Sequence, residues 1–278
     1  MCHLEHAGIS DQGRVRYRNE DFIAHEVPTD SEVRRRQGCL FVVADGVGGS
    51  GAGNVASREA TEALVRAYYE SRRPPERALR DAFARANMHV YDLGLRGGKF
   101  RMETTMVALA LVGDCAFIAH VGDSRLYRVR HAGHAEPLTR DHSEVAELVR
   151  MQILTPENAR HHPRRHIITR SVGSDPVLRV AQRVEPLQAG DAFVLCTDGI
   201  WEPVSDQEIA SAVAGNSAEE ACRRLTELGL ARQSNDNLSV QVIKVLQVNK
   251  ENAMATANNL SWWRRLFVKA GQRPDEDS

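Results

Sequence analysis

The chain has 278 residues, of which 42% are hydrophobic, and its formal net charge is -1. That length suits one large domain or two small ones, and the near-zero charge gives no argument for a nucleic-acid or membrane-surface partner. Five cysteines without a C-x-x-C pair argue against a disulfide framework and a zinc site, so we expect a cytoplasmic protein. The first residues lack the features of a signal peptide, and no apolar run is long enough to span a membrane.

The first half of the chain predicts two consecutive helices followed by short strands. Apolar residues recur at helical spacing over 55–70 and again from Leu79 to Leu93, with no strand between the two segments. Short turns join the apolar runs that come next, too short for a parallel crossover, so we predict an antiparallel three-strand meander. These runs cover 105–112, 115–121 and 125–130.

A polar segment rich in arginine and histidine follows the meander. Residues 141–150 predict a short helix, because Asp141 and Glu144 stand at the spacing of a capping box. We expect the region from about 145 to 168 to form a surface flap, which is either a solvated loop or a recognition site for acidic or phosphorylated protein segments. Its basic side chains are Arg160, His161, His162, Arg164, Arg165 and His166.

Strands and capped helices alternate through the rest of the predicted domain. Ser205 and Ser217 are each followed three residues later by a glutamate, which predicts the start of two helices. Antiparallel strands combined with paired helices indicate an α+β fold in which helices cover the sheet faces. The predicted strands cover 178–184, 192–196 and 238–245.

The stretch FVVADGVGGSGAGN at 41–54 places a glycine-rich loop after an apolar run. GVGGSG, from Gly46 to Gly51, matches the dinucleotide-binding pattern G-x-G-x-x-G. A dinucleotide fold would return to a parallel strand after the next helix, whereas two helices follow here, so this interpretation fails. A phosphate-binding P-loop also fails, because Asn54 stands where that motif requires lysine.

Acidic residues occur repeatedly where predicted strands meet loops. A single Asp-Gly pair is an ordinary turn, but five such positions in one chain favour a shared role. Converging carboxylates repel each other unless cations neutralise them. Ligand sets made only of oxygen suit magnesium or manganese rather than zinc. The acids are Glu20 with Asp21, Asp45, Asp123, Asp198 and Asp236.

Two such ions bridged by one carboxylate convert a shared water into a hydroxide nucleophile near neutral pH, and this chemistry suits the hydrolysis of phosphate esters. A glycine beside the bridging acid lets a backbone carbonyl approach a metal closely. An arginine would bind the phosphate through paired hydrogen bonds. The segment GRVRYRNED offers Arg14, Arg16 and Arg18 for this role.

Eight segments in a fixed order make the chain resemble the metal-dependent type-2C Ser/Thr protein phosphatases (the PPM family), bacterial branch. They are RVRYRNEDF, FVVADGVGGSGAG, ETTMVALAL, IAHVGDSRLYRV, LTRDHSEVAEL, ITRSVGSD, DAFVLCTDGIW and SNDNLSVQVI. The resemblance implies a catalytic domain over 1–247 with a four-layer α-β-β-α sandwich, in which helix pairs flank two central antiparallel sheets. It also implies two manganese or magnesium ions and a third, weaker one.

The resemblance assigns the ligands of the two core ions. Asp45 corresponds to the carboxylate that bridges them, and Gly46 supplies its carbonyl to the first ion. Asp198 and Asp236 correspond to ligands of the second ion. Glu20 corresponds to an acid that contacts the second ion directly or through water.

The resemblance also assigns residues around this core. Arg16 corresponds to the phosphate-binding arginine, which precedes Glu20 by four residues. Asp123 corresponds to a ligand of the third ion, which shares a carboxylate with the second. Asp21 and Asn237 support the ligands.

The proton donor for the leaving alkoxide is unassigned. Val47 occupies the position where some members of the family have a histidine as general acid, and valine cannot donate a proton. We expect a metal-bound water at the third site to act instead. His120 and His142 are alternatives, for which a structural role is favoured.

The implied activity is hydrolysis of phosphoserine and phosphothreonine on proteins by direct attack of a metal-bridging hydroxide, reversing a bacterial Ser/Thr protein kinase. A cysteine phosphatase is excluded, because such an enzyme needs an arginine six residues after its nucleophilic cysteine and none of the five cysteines has one. Two alternatives stay open: a catalytically silent module of this fold that binds partners, and a switch-protein phosphatase acting on anti-anti-sigma-type substrates.

The segment 248–278 differs from the rest, being polar, then aromatic and basic, then acidic. We expect a mobile tail with a short helix. An alternative interpretation is a contact for a partner or a membrane surface. The residues concerned are Trp262, Trp263, Arg264 and Arg265.

Overall fold

The computed structural model describes residues 2–47, 51–97, 101–131, 133–160 and 162–248. Within these ranges strands and helices follow one another in mixed order. They are β1 (His3–Asp11), β2 (Asp21–Glu26), α1 (Ser31–Gln37), β3 (Cys39–Asp45), α2 (Gly53–Glu70), α3 (Pro75–Arg96), β4 (Met106–Val112), β5 (Cys115–Val121), β6 (Arg125–His131), β7 (His134–Pro137), α4 (Glu144–Arg150), α5 (Pro156–Arg160), β8 (Ala181–Pro186), β9 (Ala192–Cys196), α6 (Asp198–Trp201), α7 (Asp206–Val213), α8 (Ala218–Ala231) and β10 (Leu238–Gln247).

The strands form two five-stranded sheets, and all the strand pairs are antiparallel, as predicted. The first sheet has the order β2-β3-β4-β5-β8, and the second has the order β1-β10-β9-β6-β7. β3 and β4 are buried along almost their whole length. This explains why their sequences are apolar runs rather than alternating patterns.

Three apolar layers hold the sheets and helices together. Between the sheets, Phe41 and Leu109 of the first pack in one cluster with Phe193 and Ile243 of the second. α2 and α3 cover the outer face of the first sheet, and α7 and α8 cover that of the second. The predicted four-layer α-β-β-α sandwich is therefore confirmed.

The prediction of a three-strand meander is wrong at its last step. β4 and β5 pair with each other, but β6 pairs with β7 and β9 in the other sheet. Gly122 lies where the chain crosses between the sheets, at a φ of +100°, and a Cβ there would lie 2.5 Å from the Cβ of Thr105. This crossing places Asp123 at one end of both sheets.

The segment before the flap also differs from its prediction. Ser143, rather than Asp141, caps α4, because its hydroxyl accepts a hydrogen bond from the amide of Ala146. Asp141 instead accepts two hydrogen bonds from the guanidinium of Arg125, at 2.9 and 2.7 Å. A largely buried arginine needs such a carboxylate partner, and the sequence spacing gave no sign of it.

Helix starts in the second half agree with the predictions. Ser205 and Glu208 form a reciprocal capping box at the start of α7. The hydroxyl of Ser217 accepts a hydrogen bond from the amide of Glu220 at the start of α8. Several elements differ from the predictions. β8 begins three residues later than predicted, and β1, α1, β7, α5 and α6 were not predicted. Asp30 caps α1.

None of the helices in the described ranges has the length and apolarity that a membrane crossing requires.

Several predictions concern residues outside the described ranges, so they stay predictions. The residues are Gly48 to Ser50 of the glycine-rich loop, His161 of the flap, and Trp262, Trp263, Arg264 and Arg265 of the tail.

Candidate metal centre

The predicted acids gather at one end of the two sheets. Asp21 opens β2 and lies opposite Asp45, the last residue of β3. Asp123 comes two residues after β5, Asp198 comes two residues after β9, and Asp236 comes two residues before β10. Because neighbouring strands run antiparallel, the end of one strand lies beside the start of the next. The topology therefore brings five acids from distant parts of the chain to one edge.

Two threonines fix the backbone of Asp45. The amide of Thr105 and the hydroxyl of Thr104 donate hydrogen bonds to the Asp45 carbonyl, at 2.8 and 2.7 Å. The amide of Asp45 in turn donates to the hydroxyl of Thr105 at 3.3 Å. The main chain is thus held on both sides, while the carboxylate lines an open cleft.

Glycine is required directly after Asp45. A Cβ on Gly46 would lie 2.2 Å from the carbonyl oxygen of Gly53 and 2.7 Å from that of Glu20. The amide of Gly46 donates to the Glu20 carbonyl at 3.1 Å. Three segments therefore meet through backbone atoms alone, and the absence of a side chain at Gly46 permits this close approach.

Asn237 ties the loop between β1 and β2 to the start of β10. Its side-chain oxygen accepts a hydrogen bond from the amide of Glu20 at 2.8 Å. Its Nδ2 donates to the carbonyls of Gln12 and Arg18, at 2.8 and 3.1 Å. The three hydrogen bonds of this one buried side chain fix the loop, which fits the supporting role predicted for Asn237.

Asp21 links the first sheet to the second from a buried position. The hydroxyl of Thr197 donates to its carboxylate at 2.9 Å, and the amide of Ser239 donates to the same hydroxyl at 3.1 Å. Burial raises the pKa of Asp21 to about 7, against the opposing effect of these hydroxyl hydrogen bonds. The Asp21 carboxylate therefore supports the site from the protein interior and does not face solvent.

The carboxylates of the cluster raise one another's pKa. Burial lifts the pKa of Asp45 well above its usual value, and the charges of Asp21 and Asp198 raise it further. The pKa of Asp198 rises for the same reasons, first burial and then the charge of Asp123. Divalent cations relieve repulsion of this kind, because they favour the charged form of each carboxylate.

One carboxylate oxygen of Asp198 indicates that the site can accept a cation. Its Oδ1 is buried and has no hydrogen-bond partner in the described part of the protein. A buried polar atom without a partner costs about 1–3 kcal/mol, which coordination to a cation removes. The side chains whose charges act on Asp198 are carboxylates, and oxygen atoms of this kind suit magnesium or manganese. The residues therefore fit the implied pair of ions.

A further group of ligand atoms lies beside this cluster. Atoms of His166, Asp198 and Glu202 come within 4.8 Å of one another. Burial raises the pKa of Asp123 to about 7, with smaller contributions from the charges of Asp141 and Glu202. Glu202 was not predicted from the sequence, although its position one helical turn after Asp198 is a signal that could have found it.

Arg16 occupies the same cleft as the acids. Of the three arginines in GRVRYRNED, Arg16 lines the cleft, and its guanidinium donates a hydrogen bond to Asp236 at 2.5 Å. Arg18 points elsewhere, to the side chain of Asn54 at 3.2 Å. This arrangement favours Arg16 over its neighbours as the residue that meets a phosphate.

The two histidine alternatives stack in the wall of the cleft, with ring centroids 4.8 Å apart and planes 3° from parallel. The amide of Gly122 donates to Nδ1 of His142 at 3.1 Å. Nε2 of His120 lies 2.8 Å from the carbonyl oxygen of Arg140. Burial lowers the pKa of both rings, that of His142 to about 3. Neutral, hydrogen-bonded rings favour the structural role.

The flap is attached to the site by ion pairs. Arg164 lies 2.7 Å from Glu144 of α4, and Arg165 lies 3.5 Å from Glu202, the residue directly after α6. Nδ1 of His166 lies 3.3 Å from the same Glu202 carboxylate. These basic side chains contact acids of the protein itself, so the flap forms a wall of the cleft. Recognition of acidic segments by this wall stays a prediction.

Comparison with known proteins decides the family. A family model described as protein phosphatase 2C matches residues 18–242. The chain belongs to the protein phosphatase 2C family. Protein phosphatase PhpP of Streptococcus pneumoniae is 31% identical over 255 residues, which cover 90% of this phosphatase and 100% of PhpP. The resemblance seen in the sequence is therefore confirmed.

Solved structures agree with this assignment. The phosphatase Stp1 from Staphylococcus aureus has a TM-score of 0.80 and 31% identity, covering 87% of this chain and 95% of Stp1. The catalytic domain of PstP in complex with two manganese ions has a TM-score of 0.75 and 30% identity, covering 88% and 99%. The chain is a metal-dependent serine/threonine protein phosphatase of the bacterial type.

Proposed function

We propose that the carboxylates at the shared sheet edge hold two manganese or magnesium ions, with which this phosphatase hydrolyses phosphoserine and phosphothreonine on proteins. The observation that carries the proposal is the buried, unpartnered Oδ1 of Asp198 within a group of mutually repelling carboxylates. The two manganese ions in the PstP complex support it.

The proposed ligands divide between the two ions. Asp45 would bridge them, and the Gly46 carbonyl would join the first ion. Asp198 and Asp236 would hold the second ion, with Glu20 in contact directly or through water. When bound, the ions lower the pKa of water for direct attack on phosphorus and neutralise phosphate charge.

Arg16 would bind the phosphate through paired, charge-assisted hydrogen bonds. A covalent cysteine intermediate has no support, because all five cysteines are buried. Burial raises the pKa of Cys222 to about 12 and that of Cys196 further, so neither supplies a thiolate near neutral pH. This favours direct hydrolysis over a phosphoenzyme.

A third, weaker ion is part of the proposal. Asp123 and Asp198 would bind it, and Glu202 and His166 lie within reach of Asp198. Water on this ion remains our hypothesis for protonating the leaving alkoxide, since Val47 has no proton to donate.

The cellular setting is also proposed rather than established. Free, buried cysteines fit a reducing compartment, which favours the cytoplasm. The relatives are named as Ser/Thr protein phosphatases, so we propose phosphorylated proteins as substrates and a cognate Ser/Thr kinase as functional partner.

The test uses the purified full chain with manganese, an aryl phosphate and a phosphothreonine protein. We expect turnover of both substrates, loss of turnover with EDTA, and recovery when manganese is restored. Asp236→Asn serves as the inactive control. Manganese binding without any turnover would contradict the proposal and favour the silent module.

A deletion strain compared with its parent by phosphoproteomics separates the two phosphatase hypotheses. Accumulation of many phosphoserine and phosphothreonine sites supports an enzyme that reverses a kinase. A change restricted to one phosphoprotein of the anti-anti-sigma type would instead support the switch-protein alternative.

A further inference from the structure

The guanidinium of Arg125 contacts two separate segments beside the proposed ligands of the third ion. Arg125 opens β6 and comes two residues after Asp123. Its Nε and Nη2 donate to the two carboxylate oxygens of Asp141, and its Cζ lies 3.5 Å from the centre of the Trp201 ring. Trp201 is the last residue of α6, the helix that begins with Asp198. The guanidinium therefore joins the segment of Asp123 to the helix of Asp198.

The hydrogen bonds of Arg125 hold its guanidinium in one place. Besides the paired bonds to Asp141, Nη1 donates to the hydroxyl of the fully buried Tyr127 at 3.0 Å. A cation this close to an aromatic face is attracted to it, so Trp201 is held against the guanidinium. Each of the three nitrogen atoms already donates to a protein group, so Arg125 acts through its neighbours and does not bind the phosphate.

The segment of Asp141 also holds the residue on the other side of Asp123. The amide of His142 donates to the carbonyl of Gly122 at 2.9 Å, and the amide of Gly122 donates to Nδ1 of His142 at 3.1 Å. Residues 141 and 142 thus contact Gly122, directly before Asp123, and Arg125, two residues after it. The backbone that carries the Asp123 carboxylate is fixed at both ends.

The helix α6 depends on tertiary contacts for its orientation. It has only four residues, and so short a helix has little stability of its own. Asp198 and Glu202 stand one turn apart, and the amide of Glu202 donates to the carbonyl of Asp198 at 2.9 Å. Between them, Ile200 packs in the core beside the second sheet, and Trp201 stacks on Arg125. Movement of the guanidinium would therefore displace the helix that carries the carboxylates.

We infer that Arg125 is a positioning residue, which sets the distance between Asp123 and the pair Asp198 and Glu202 and thereby the affinity for the third ion. This inference rests on the proposed function and adds to it a residue that acts on the third ion without touching substrate. The planar fork of the guanidinium is essential, because it pairs with Asp141 through its edge while its flat face meets Trp201.

Calorimetric titration of the full chain with manganese tests this role in Arg125→Ala. The weak third step should weaken roughly 10- to 100-fold, the size typical for loss of a residue that orients metal ligands, while the two tight steps stay unchanged. With an aryl phosphate, kcat should fall and KM should stay at the wild-type value. A higher manganese concentration should restore kcat, because it refills the third site.

Arg130→Ala is the matched control. Arg130 lies on the same strand and is 28% exposed, against 23% for Arg125. Its guanidinium donates to both carboxylate oxygens of Asp191, at 2.7 and 3.2 Å. The substitution removes an ion pair of the same kind toward the other end of β6, so Tm should fall while the third step keeps its affinity.

Two further variants separate geometry from charge. Arg125→Lys keeps the charge but lacks the planar fork, so its third step should weaken as in Arg125→Ala. Trp201→Leu keeps the ion pair with Asp141 and removes only the aromatic face, and it should weaken the same step. These two variants test the inference even where Arg125→Ala does not fold.

A third step of wild-type affinity in Arg125→Lys and Trp201→Leu would overturn the inference, and so would equal weakening in Arg130→Ala. Absence of the weak step from the wild type would overturn it together with the third ion, while manganese-dependent turnover would leave the two-ion function standing. A wild type that neither binds manganese nor turns over any substrate would overturn the proposed function as well.

Discussion

The guanidinium of Arg16 donates a hydrogen bond to the carboxylate of Asp236 across 220 positions of the chain, at 2.5 Å. Both side chains are partly exposed to the cleft. A divalent cation on Asp236 competes with the guanidinium for the same carboxylate, because both neutralise its charge. We therefore expect metal binding to free Arg16 for the phosphate, so that the two ligands bind cooperatively.

Replacing Arg16 by alanine should mainly raise KM. The interaction lost is a charge-assisted hydrogen bond to the phosphate worth about 1.5–3 kcal/mol, or roughly 10- to 150-fold. Steady-state kinetics with an aryl phosphate measure the change, with Arg18→Ala as the control from the same loop. An unchanged KM in the Arg16 variant would indicate that Arg14 or Arg18 binds the phosphate.

Asp45→Asn should change stability in opposite directions with and without metal. In EDTA the substitution removes a buried charge that its neighbours repel, so we expect Tm to rise by about 2–4 °C for each kcal/mol relieved. In manganese the variant lacks the bridging ligand, so its Tm should fall below that of the wild type, and activity should be lost. Differential scanning calorimetry in both buffers is the measurement. A Tm that shifts in the same direction in both would argue against Asp45 as a ligand.

The stabilising effect of manganese should increase with pH. Burial raises the pKa of Asp21 and Asp123 to about 7. A raised carboxyl pKa gives stability that is present below the unfolded value near 4 and is lost as pH rises through about 7. Manganese removes this penalty, so the difference in Tm between manganese and EDTA should grow from pH 5 to pH 7.5. A difference that stays constant over this range would contradict the electrostatic account.

The third ion should depend on Asp123 and His166. Asp123→Ala should slow turnover while two manganese ions still bind tightly, and His166→Ala should weaken the same third binding step. Calorimetric titration separates the tight and weak steps, with the exposed His134→Ala as control. Loss of the tight steps in the Asp123 variant would show that this residue belongs to the core pair instead.

His142 should stay neutral throughout the working range of pH. Burial and the neighbouring His120 lower its pKa to about 3, so it contributes stability above its unfolded value near 6.5 that is lost as pH falls toward 3. Histidine-selective NMR should show a neutral ring with Nδ1 unprotonated at pH 6. A ring that titrates between pH 6 and 8 would reopen the possibility that His142 is the general acid.

The sequence by itself determined the fold class and the family, and it predicted the site residues. Apolar runs mark strands buried on both faces, and small alanine-rich faces mark the helices that cover them. Asp45, Asp198 and Asp236 stand where such strands meet loops, and the pattern around each is specific enough to identify the family. These are local features, which periodicity and turn chemistry record directly.

Tertiary structure alone decided which residues meet. At Gly122 the chain crosses from one sheet to the other, although the short turn there predicted a meander within one sheet. Turn length does not reveal which sheet the next strand joins. Asp141 pairs with Arg125 instead of capping a helix, and Glu202 faces His166 of the flap. The bond from Arg16 to Asp236 joins residues 220 positions apart. Such contacts depend on how two sheets pack, and a pattern that repeats over a few residues contains no record of that packing.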